Sequence, residues 1–463
     1  MTQGPWATLA LSSLLSLFPG LAQADSGVAA PQDLQALLAQ RFTQDRTGVC
    51  VVAARVEKTQ VQRARLCAQP RREGMEPGFD SRFEIGSISK TMAAVLAADL
   101  IRKGRWSLDD PIAKHLPAGT KLPRQGERQI LLRDLLTHSS GLPALPPGFA
   151  PSQPANPYAD LSEAQLLTAL GRVELTVPIG SRVEYSNFAM MLLSLALARS
   201  HGGDFERALA GGLFEPLQMH SASISRPGRQ EAPEARGHLP SGAQTAAWTI
   251  TPNLAGVGMV RASLDDMVRY AQAQLGLLAD VAPELQDSMR LSQQSLTPQF
   301  AMSWMRMPVP GRPMLVHEGG TGGFSSLIAL EPEAGRAVVL LADTALSDLG
   351  GLGDVAQVAL GLSDRPLLPR RVQVAAPALL QALVGDYVLG GLPLRIWREG
   401  TQLMAQAQGQ AAFALDQDSR GDFFPRTFGA LLTPVWEAGR VDRAIWRQGG
   451  GAMELHRQPR AVP

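Results

Sequence analysis

Ser87 and Lys90 are the first residues whose types and spacing suggest chemistry. They begin and end the run Ser87-Ile88-Ser89-Lys90, which opens an Ala- and Leu-rich segment that predicts a helix. Residues three apart share one helix face, so the hydroxyl and the amine can be neighbours. A serine becomes nucleophilic when a base takes its proton, and a lysine whose pKa is lowered by burial can be that base. The alternative is a capping serine beside a solvated lysine.

Tyr185 and Asn187 form a second candidate group. They flank Ser186 directly before the apolar segment FAMMLLSLALA, at a predicted junction between a loop and a helix. The chain contains only four tyrosines and three asparagines, so this spacing is rare by chance. A packing tyrosine beside an asparagine cap is the structural alternative. Beside the Ser/Lys pair, the run favours a functional role.

His317, Glu318 and Gly319 stand where an apolar strand, PMLV, runs into a glycine-rich turn followed by a second strand, GFSSLIAL. Glycines at such a place let a ligand approach the backbone closely at a strand edge. A phosphate-binding loop would require Gly-Lys-Ser/Thr, which does not follow here. A plain hairpin turn is the structural alternative.

The elements that must position these residues predict an α+β domain. Residues 25–45 predict a helix and 48–68 a hairpin, and a helix that stops at Gly104 follows the Ser/Lys run. Short helices and Pro-rich loops fill 105–260, and a helix at 263–278 precedes several strands after 301 and a last helix at 350–362. Helices between two groups of strands indicate a sheet built from both ends of this domain.

A second domain is predicted beyond a composition break at 364–377. Eight short strand-like runs follow, separated by Gly, Asp or Pro: GDYVL, LRIWREG, QLMAQAQ, AAFALD, DFFPR, LLTPVWEAG, VDRAIWR and MELHR. This spacing predicts a small antiparallel barrel or sandwich. Trp397, Trp436 and Trp446 are interpreted as barrel core rather than as a platform for carbohydrate.

The N-terminus resembles a secretory signal. Residues 6–18 are apolar apart from Ser and Thr, and the Ala-x-Ala pattern ending at Ala24 predicts cleavage before Asp25. The run is too short to span a membrane comfortably, and no later segment is long and apolar enough. An exported chain could oxidise Cys50 and Cys67, which lie opposite each other in the predicted hairpin. A disulfide and two free thiols remain equal alternatives.

Composition excludes several classes of function. The 463 residues suggest two or three domains, and a formal net charge of +1 without charged blocks gives no reason to expect a nucleic-acid partner. The histidines and the two cysteines show no metal-ligand spacing. The adjacent pairs Asp109-Asp110 and Asp265-Asp266 are interpreted as caps rather than glycosidase carboxylates. No Gly-x-Ser-x-Gly elbow exists, which argues against an α/β-hydrolase.

The motifs together resemble the penicillin-recognising serine hydrolases, in particular class C β-lactamases and the related D-Ala-D-Ala carboxypeptidases, D-aminopeptidases and esterases. The likeness covers about residues 35–365 and includes FEIGSISKT, GRWSLDDPIAKHLP, LLTHSSGLP and VEYSNFAMMLLS. It implies a β-lactamase/transpeptidase-like catalytic domain at 25–365, after a signal peptide at 1–24. The segment 376–463 resembles the lipocalin-like β-barrel appended to some members.

The resemblance also implies roles for the candidate residues. Ser87 would be the acylated nucleophile, Lys90 its proton partner, and Tyr185 a general base or acid. The substrate-binding residues would be Asn187, on the acyl-side amide, with His317, Gly319 and Gly320 at the third motif. The backbone N–H groups of Ser87 and Gly320 would form the oxyanion hole. His138 in LLTHSSGLP is interpreted as structural.

One departure from the family affects substrate choice. The family motif Lys-Thr-Gly is His317-Glu318-Gly319 here, and the following strand and loop bring no basic residue. The expected function is therefore a periplasmic or secreted serine hydrolase, without cofactor, that acts on a β-lactam, a D-amino-acid amide or a peptidoglycan-like substrate. A carboxylesterase or D-aminopeptidase on the same site is the alternative enzyme. A non-catalytic penicillin-binding sensor is the alternative of another class.

Overall fold

The predicted catalytic domain, hereafter the catalytic part, is built around a six-stranded antiparallel sheet. The computed structural model describes residues 32–58, 60–69, 76–225, 232–437, 440–448 and 451–458; the candidate signal peptide lies outside them. The strands run in the spatial order β2-β1-β8-β7-β6-β5, so the N-terminal hairpin pairs with the last strand of the domain. The strands of this part are β1 (Cys50–Glu57), β2 (Gln60–Cys67), a separate pair β3 (Phe83–Glu84) and β4 (Arg261–Ala262), β5 (Met305–Met307), β6 (Met314–Gly320), β7 (Ser325–Glu331) and β8 (Arg336–Ala342). The predicted α+β domain, with its sheet built from both ends, is confirmed.

Helices cover both faces of this sheet. Along β1, Val51 and Ala53 pack in one apolar cluster, whereas Val52 and Ala54 pack in the other, because successive strand residues face opposite sides. The first cluster contains α1 and α9, and the second contains α2, α5, α7 and α8. The helices are α1 (Leu34–Phe42), α2 (Ser89–Arg102), α3 (Leu132–Leu136), α4 (Glu163–Leu170), α5 (Asn187–Ser200), α6 (Phe205–Leu209), α7 (Leu264–Gln274), α8 (Pro283–Ser292), α9 (Gly353–Ala359) and α10 (Pro377–Leu383).

A disulfide joins the two strands of the N-terminal hairpin. Of the two alternatives for the cysteines, a disulfide or two free thiols, the structure has the disulfide. Cys50 and Cys67 are register partners at the open end of β1 and β2, and their sulfurs are bonded. The pairing follows from two strands of eight residues around a turn at Lys58. Asp343 extends this end of the sheet, because its carboxylate accepts from the Cys50 N–H at 2.8 Å.

The C-terminal part is a closed eight-stranded antiparallel β-barrel, which confirms the barrel alternative. Closure comes from pairing between β12 and β13, and all eight predicted runs are strands. Aliphatic and aromatic side chains fill the interior. The strands are β10 (Gly385–Leu389), β11 (Leu392–Glu399), β12 (Gln402–Ala407), β13 (Phe413–Asp418), β14 (Phe423–Phe424), β15 (Leu431–Glu437), β16 (Arg440–Gln448) and β17 (Gly451–Arg457), with β9 (Val372–Gln373) added beside β13.

The three tryptophans of the barrel are all interpreted as core from the sequence, but only one of them is buried. Trp446 is buried in the interior, but Trp397 is half-buried and donates to Glu399, and Trp436 is 51% exposed. Leu432 pairs with Trp446, so simple alternation along β15 would place Trp436 on the same side of the barrel wall as Trp446. A register irregularity between Val435 and Glu437 breaks this alternation at Trp436.

The barrel is packed onto the catalytic part through a shared core. Phe424 and Leu431 belong to the same apolar cluster as α1, β1 and α9. Beside this cluster, the buried Arg370 of the connecting segment donates to Asp418 and Asp422 of the barrel at 2.8 and 2.6 Å. The Arg370 guanidinium also donates to the Leu349 carbonyl at 3.1 Å, so one side chain links both parts.

The described residues contain neither a helix that could cross a membrane nor a candidate metal cluster. No helix within them has the length and apolar character needed to cross a membrane. Within the same residues, no group of three or more His, Cys, Asp or Glu side chains could hold a metal ion.

Candidate active site

The first motif brings Ser87 and Lys90 into direct contact. A short 3-10 helix, Gly86–Ile88, leads into α2, so Ser87 lies one turn before Lys90 on the same face. Lys90 Nζ is 2.8 Å from Ser87 Oγ. Ser87 is half-buried, whereas Lys90 is fully buried. The alternative of a solvated lysine is therefore wrong. Ser89, between them, points elsewhere and donates to the Gly86 carbonyl.

Lys90 is surrounded as a neutral amine would be. Burial lowers its pKa well below the usual value of 10.5. One N–H donates to the Val257 carbonyl, and within the described residues no carboxylate forms an ion pair with it. A neutral amine has two N–H donors and one lone pair, so the lone pair is available to accept the Ser87 proton.

Tyr185 completes this group from the second motif. The phenol lies by the Ser87 side chain, and Lys90 Nζ lies 4.9 Å from the centre of the ring. Burial raises the pKa of Tyr185 above its ordinary value of 10, and the neighbouring Ser87 hydroxyl opposes this shift only in part. The phenol therefore holds its proton at neutral pH and can donate it to a developing charge.

Asn187 does not cap α5. The cap is Ser186, whose hydroxyl accepts from the Ala189 N–H at 3.0 Å. Asn187 Nδ2 lies 3.5 Å from the Tyr158 hydroxyl, and Asn187 Oδ1 is buried without a hydrogen-bond partner in the described residues. This leaves one amide acceptor beside the Ser87–Tyr185 group for a donor on a ligand.

His317 is a neutral imidazole in this structure. It is 1% exposed, and its Nδ1–H donates to the Glu318 carbonyl at 2.7 Å, so the lone pair is on Nε2. Burial, followed by the nearby Lys90, lowers its pKa to about 3. His317 therefore does not replace the positive charge of the family lysine near neutral pH.

Glu318 faces away from His317, because consecutive strand residues point to opposite sides of the sheet. Its carboxyl lies by Gly351, where an added Cβ would be 3.7 Å from Oε2. Burial, together with the negative charge of Asp354, raises the pKa of Glu318 to about 7. Asp354 itself pairs with Arg41 and Arg420, the second of which belongs to the barrel.

Glycines allow the first and third motifs to approach each other. Gly86 has a φ of +52°, and a Cβ on it would lie 2.6 Å from the Gly320 nitrogen. A Cβ on Gly319 would lie 2.1 Å from the Ile85 carbonyl oxygen. Only residues without side chains permit this contact, which brings the Gly320 N–H next to the backbone of Gly86, directly before Ser87.

Two residues near the site carry contacts that the sequence analysis did not assign. Tyr158, in a Pro-rich loop, contacts Asn187 and lies edge-on to Trp248 at 5.6 Å between ring centres. His138, interpreted as structural, stacks on Tyr185 at 4.3 Å. No local sequence pattern could have identified Tyr158, whereas His138 belongs to the LLTHSSGLP segment noted in the sequence.

Comparisons with known proteins identify the family of the chain. The profile of the Beta-lactamase family matches residues 32–361. The chain is 28% identical over 282 residues to the D-alanyl-D-alanine-carboxypeptidase/endopeptidase AmpH of Escherichia coli K12, covering 56% of this chain and 70% of that protein. It is 26% identical over 355 residues to penicillin-binding protein 4 of Amycolatopsis lactamdurans, covering 69% and 88% of the two chains.

A solved structure shares the fold. It is a β-lactamase/D-alanine carboxypeptidase from Yersinia pestis in complex with citrate, with a TM-score of 0.58 and 22% identity over 71% of this chain and 98% of that chain. The family profile covers most of the chain, including all three motifs. The chain belongs to the β-lactamase family and is a serine hydrolase.

Proposed function

We propose that this protein hydrolyses a D-amino-acid amide or a β-lactam through an acyl-enzyme formed on Ser87. The observation that carries the proposal is the 2.8 Å contact between Ser87 Oγ and Lys90 Nζ. Lys90 is fully buried, and burial keeps its pKa far below that of a free lysine. A weak nucleophile and an amine able to take its proton therefore lie in contact.

The reaction would proceed in two halves. Ser87 Oγ attacks the carbonyl carbon while its proton moves to Lys90 Nζ, and the N–H groups of Ser87 and Gly320 bind the oxyanion. Each such donor is worth roughly 3–4 kcal/mol in comparable enzymes. The C–N bond then breaks, and the leaving nitrogen takes a proton from Tyr185, which the Lys90 ammonium restores. Water attacks the acyl-enzyme and releases the acid and free Ser87.

The substrate would lie between the second and third motifs. Asn187 Oδ1, buried and without a partner in the described residues, would accept from the acyl-side amide N–H. His317, Gly319 and Gly320 would line the leaving-group side, since Gly319 and Gly320 lie against the backbone of Gly86. A peptidoglycan-like peptide fits these requirements, because it carries acyl-side amides and D-amino acids.

The second candidate is a carboxylesterase or D-aminopeptidase on the same site. The neutral His317 favours it, because a carboxylate on the leaving group would meet no cation there. Residues 318–326 and 343–352 also contain no lysine or arginine. A substrate without that carboxylate would lose no binding interaction when the family lysine is replaced by His317.

Export to the periplasm or the medium is part of the proposal, with cleavage of residues 1–24 after Ala24. The apolar N-terminal run and its Ala-x-Ala ending support it. The disulfide between Cys50 and Cys67 also supports it, because disulfides persist in oxidising compartments. The proposed boundaries are 25–365 for the catalytic domain and 376–463 for the barrel.

The test compares the wild type with Ser87→Ala and Lys90→Met. The substrates are a fluorescent penicillin, a chromogenic cephalosporin, a D-Ala-D-Ala peptide and a 4-nitrophenyl ester. Lys103→Met is the matched control, because Lys103 follows the same helix but is exposed and pairs with Asp99. Both site variants should lose turnover, and the control should retain it. Turnover that survives Ser87→Ala refutes the proposal, ester turnover alone favours the second candidate, and a stable penicillin adduct without turnover favours a sensor.

A further inference from the structure

His138 occupies an unusual backbone position next to the proposed site. It follows α3 with a φ of +55°, in the left-handed region that few residues other than glycine adopt, and it is fully buried. The preceding helix is held in place by Arg128, which donates to both carboxylate oxygens of Asp134 at 2.9 Å. Such a conformation persists only where the surroundings fix it, and it often marks a functional position.

Three contacts connect His138 to Tyr185 and its two neighbours. The His138 carbonyl accepts from the Glu184 N–H at 2.7 Å, directly before Tyr185. His138 Nδ1 accepts from the Ser186 N–H at 3.2 Å, directly after Tyr185. Between these bonds, the imidazole stacks on the phenol ring, with 4.3 Å between the centres and an angle of 33°. One residue therefore holds both the backbone and the ring of Tyr185.

The His138 ring is neutral in this position. Because Nδ1 accepts a hydrogen bond, the single proton of the neutral ring is on Nε2. Burial, together with Lys90 and His317, holds the pKa of His138 well below its usual value of 6.5. Phe300 packs edge-on to the ring at 5.4 Å between centres. A neutral ring can lie near Lys90 without opposing the ammonium that forms when Ser87 gives up its proton.

We propose that His138 is a positioning residue that holds the Tyr185 phenol against Ser87 and Lys90. This inference rests on the proposed function, because it assigns His138 an effect only through the hydroxyl of Tyr185. Without the stack and the Ser186 bond, the phenol would lose the contacts that fix its ring and its backbone from the His138 side. Displacement of a catalytic group by about 1 Å can cost about 100-fold in rate.

Two variants separate the contacts. His138→Asn tolerates the left-handed backbone and offers an oxygen to the Ser186 N–H, but it removes the ring. His138→Phe retains a ring for stacking but removes the acceptor. Each is also combined with Tyr185→Phe, which removes the hydroxyl alone. The readout is the rate at which a fluorophosphonate probe labels Ser87. An Oγ–P bond forms and the P–F bond breaks; the Ser87 proton goes to Lys90, and the fluoride leaves with a hydrogen bond from the Tyr185 phenol, as the leaving nitrogen of an amide would.

We expect each single His138 variant to slow labelling about ten-fold and to have little further effect in the Tyr185→Phe background. A purely structural role would slow both backgrounds by the same factor, and that result, or an unchanged rate in the single variants, overturns the inference. His115→Asn is the matched control, since His115 stacks on Trp106 in nearly the same geometry, at 4.5 Å and 34°, and should leave the rate unchanged.

Folding and the proposed function are tested separately. Thermal melting of every variant shows whether the fold is retained, and a variant that melts early is compared at a temperature where it is still folded. If the wild type is not labelled at Ser87 at all, the proposed function fails, and the inference fails with it. If the wild type is labelled and the His138 variants are equally fast, only the inference fails.

Discussion

The charge of His317 gives the sharpest prediction about substrate binding. With a pKa of about 3, its imidazole is protonated in only about one molecule in a thousand at pH 6, whereas an ordinary histidine of pKa 6.5 would be protonated in about three quarters. The cause is burial, aided by Lys90. We therefore expect no gain in activity on a carboxylate-bearing substrate that depends on His317 as the pH falls from 8 to 5.

A second group titrates in this range and must be separated from His317. Glu318 follows it on β6 with a pKa of about 7, raised by burial and by Asp354. Because this folded-state pKa lies above the usual value near 4.5, Glu318 favours folding most below pH 4.5. That contribution is lost as the pH rises through 7. Glu318→Gln should therefore raise stability above pH 7, by at most about 3 kcal/mol.

The assay is the pH profile of kcat/KM for a carboxylate-bearing substrate and a neutral ester, measured with the wild type, His317→Gln and Glu318→Gln. Any change in rate near pH 7 should persist in His317→Gln and disappear in Glu318→Gln. Urea unfolding at pH 5 and pH 8 measures the stability difference. A rise in activity below pH 6.5 that is specific to the carboxylate substrate and lost in His317→Gln would refute this reasoning.

Three further changes have expected outcomes. Arg370→Met leaves the buried carboxylates of Asp418 and Asp422 without this counter-charge, which should lower stability by about 3–5 kcal/mol in urea unfolding; an unchanged midpoint would contradict the network. Cys67→Ser opens a cross-link between residues 17 apart and should cost about 3 kcal/mol, and reductant should destabilise the wild type but not the variant. Gly319→Ala would place a Cβ 2.1 Å from a backbone oxygen, so Ser87 labelling should slow by about 100-fold or more, and normal labelling would show that this contact is not required.

Local sequence patterns were sufficient to predict most of the helices and strands. The hairpin register that places Cys50 opposite Cys67 followed from two strands of equal length around one turn, and the structure has the same register. The eight runs of the barrel were each marked by Gly, Asp or Pro at their ends. The burial of individual side chains could not be predicted as well. Trp436 is exposed because a register irregularity between Val435 and Glu437 breaks the alternation of side chains in β15, and no local sequence pattern marks it.

Some residues of the candidate site could likewise be predicted from the sequence, and others could not. The residues Ser87, Lys90 and Tyr185 could be selected from motifs, and the structure brings them together. Tyr158 could not be selected, because its contact with Asn187 exists only when its loop meets the start of α5. His138 was visible as part of LLTHSSGLP, but its contacts with Tyr185 join segments 47 positions apart in the printed sequence.

The sequence by itself determined most of the order of helices and strands, the eight short strands after residue 376, the three motifs and the loss of the family lysine, because these depend on residue type and short-range spacing. Only the tertiary structure decided that the eight strands close into a barrel, that Lys90 is fully buried, that His317 is neutral, that Glu318 faces away from His317, and that His138 contacts Tyr185 and its neighbours. The physical reason is that protonation and orientation depend on burial and on neighbours that are distant in the chain.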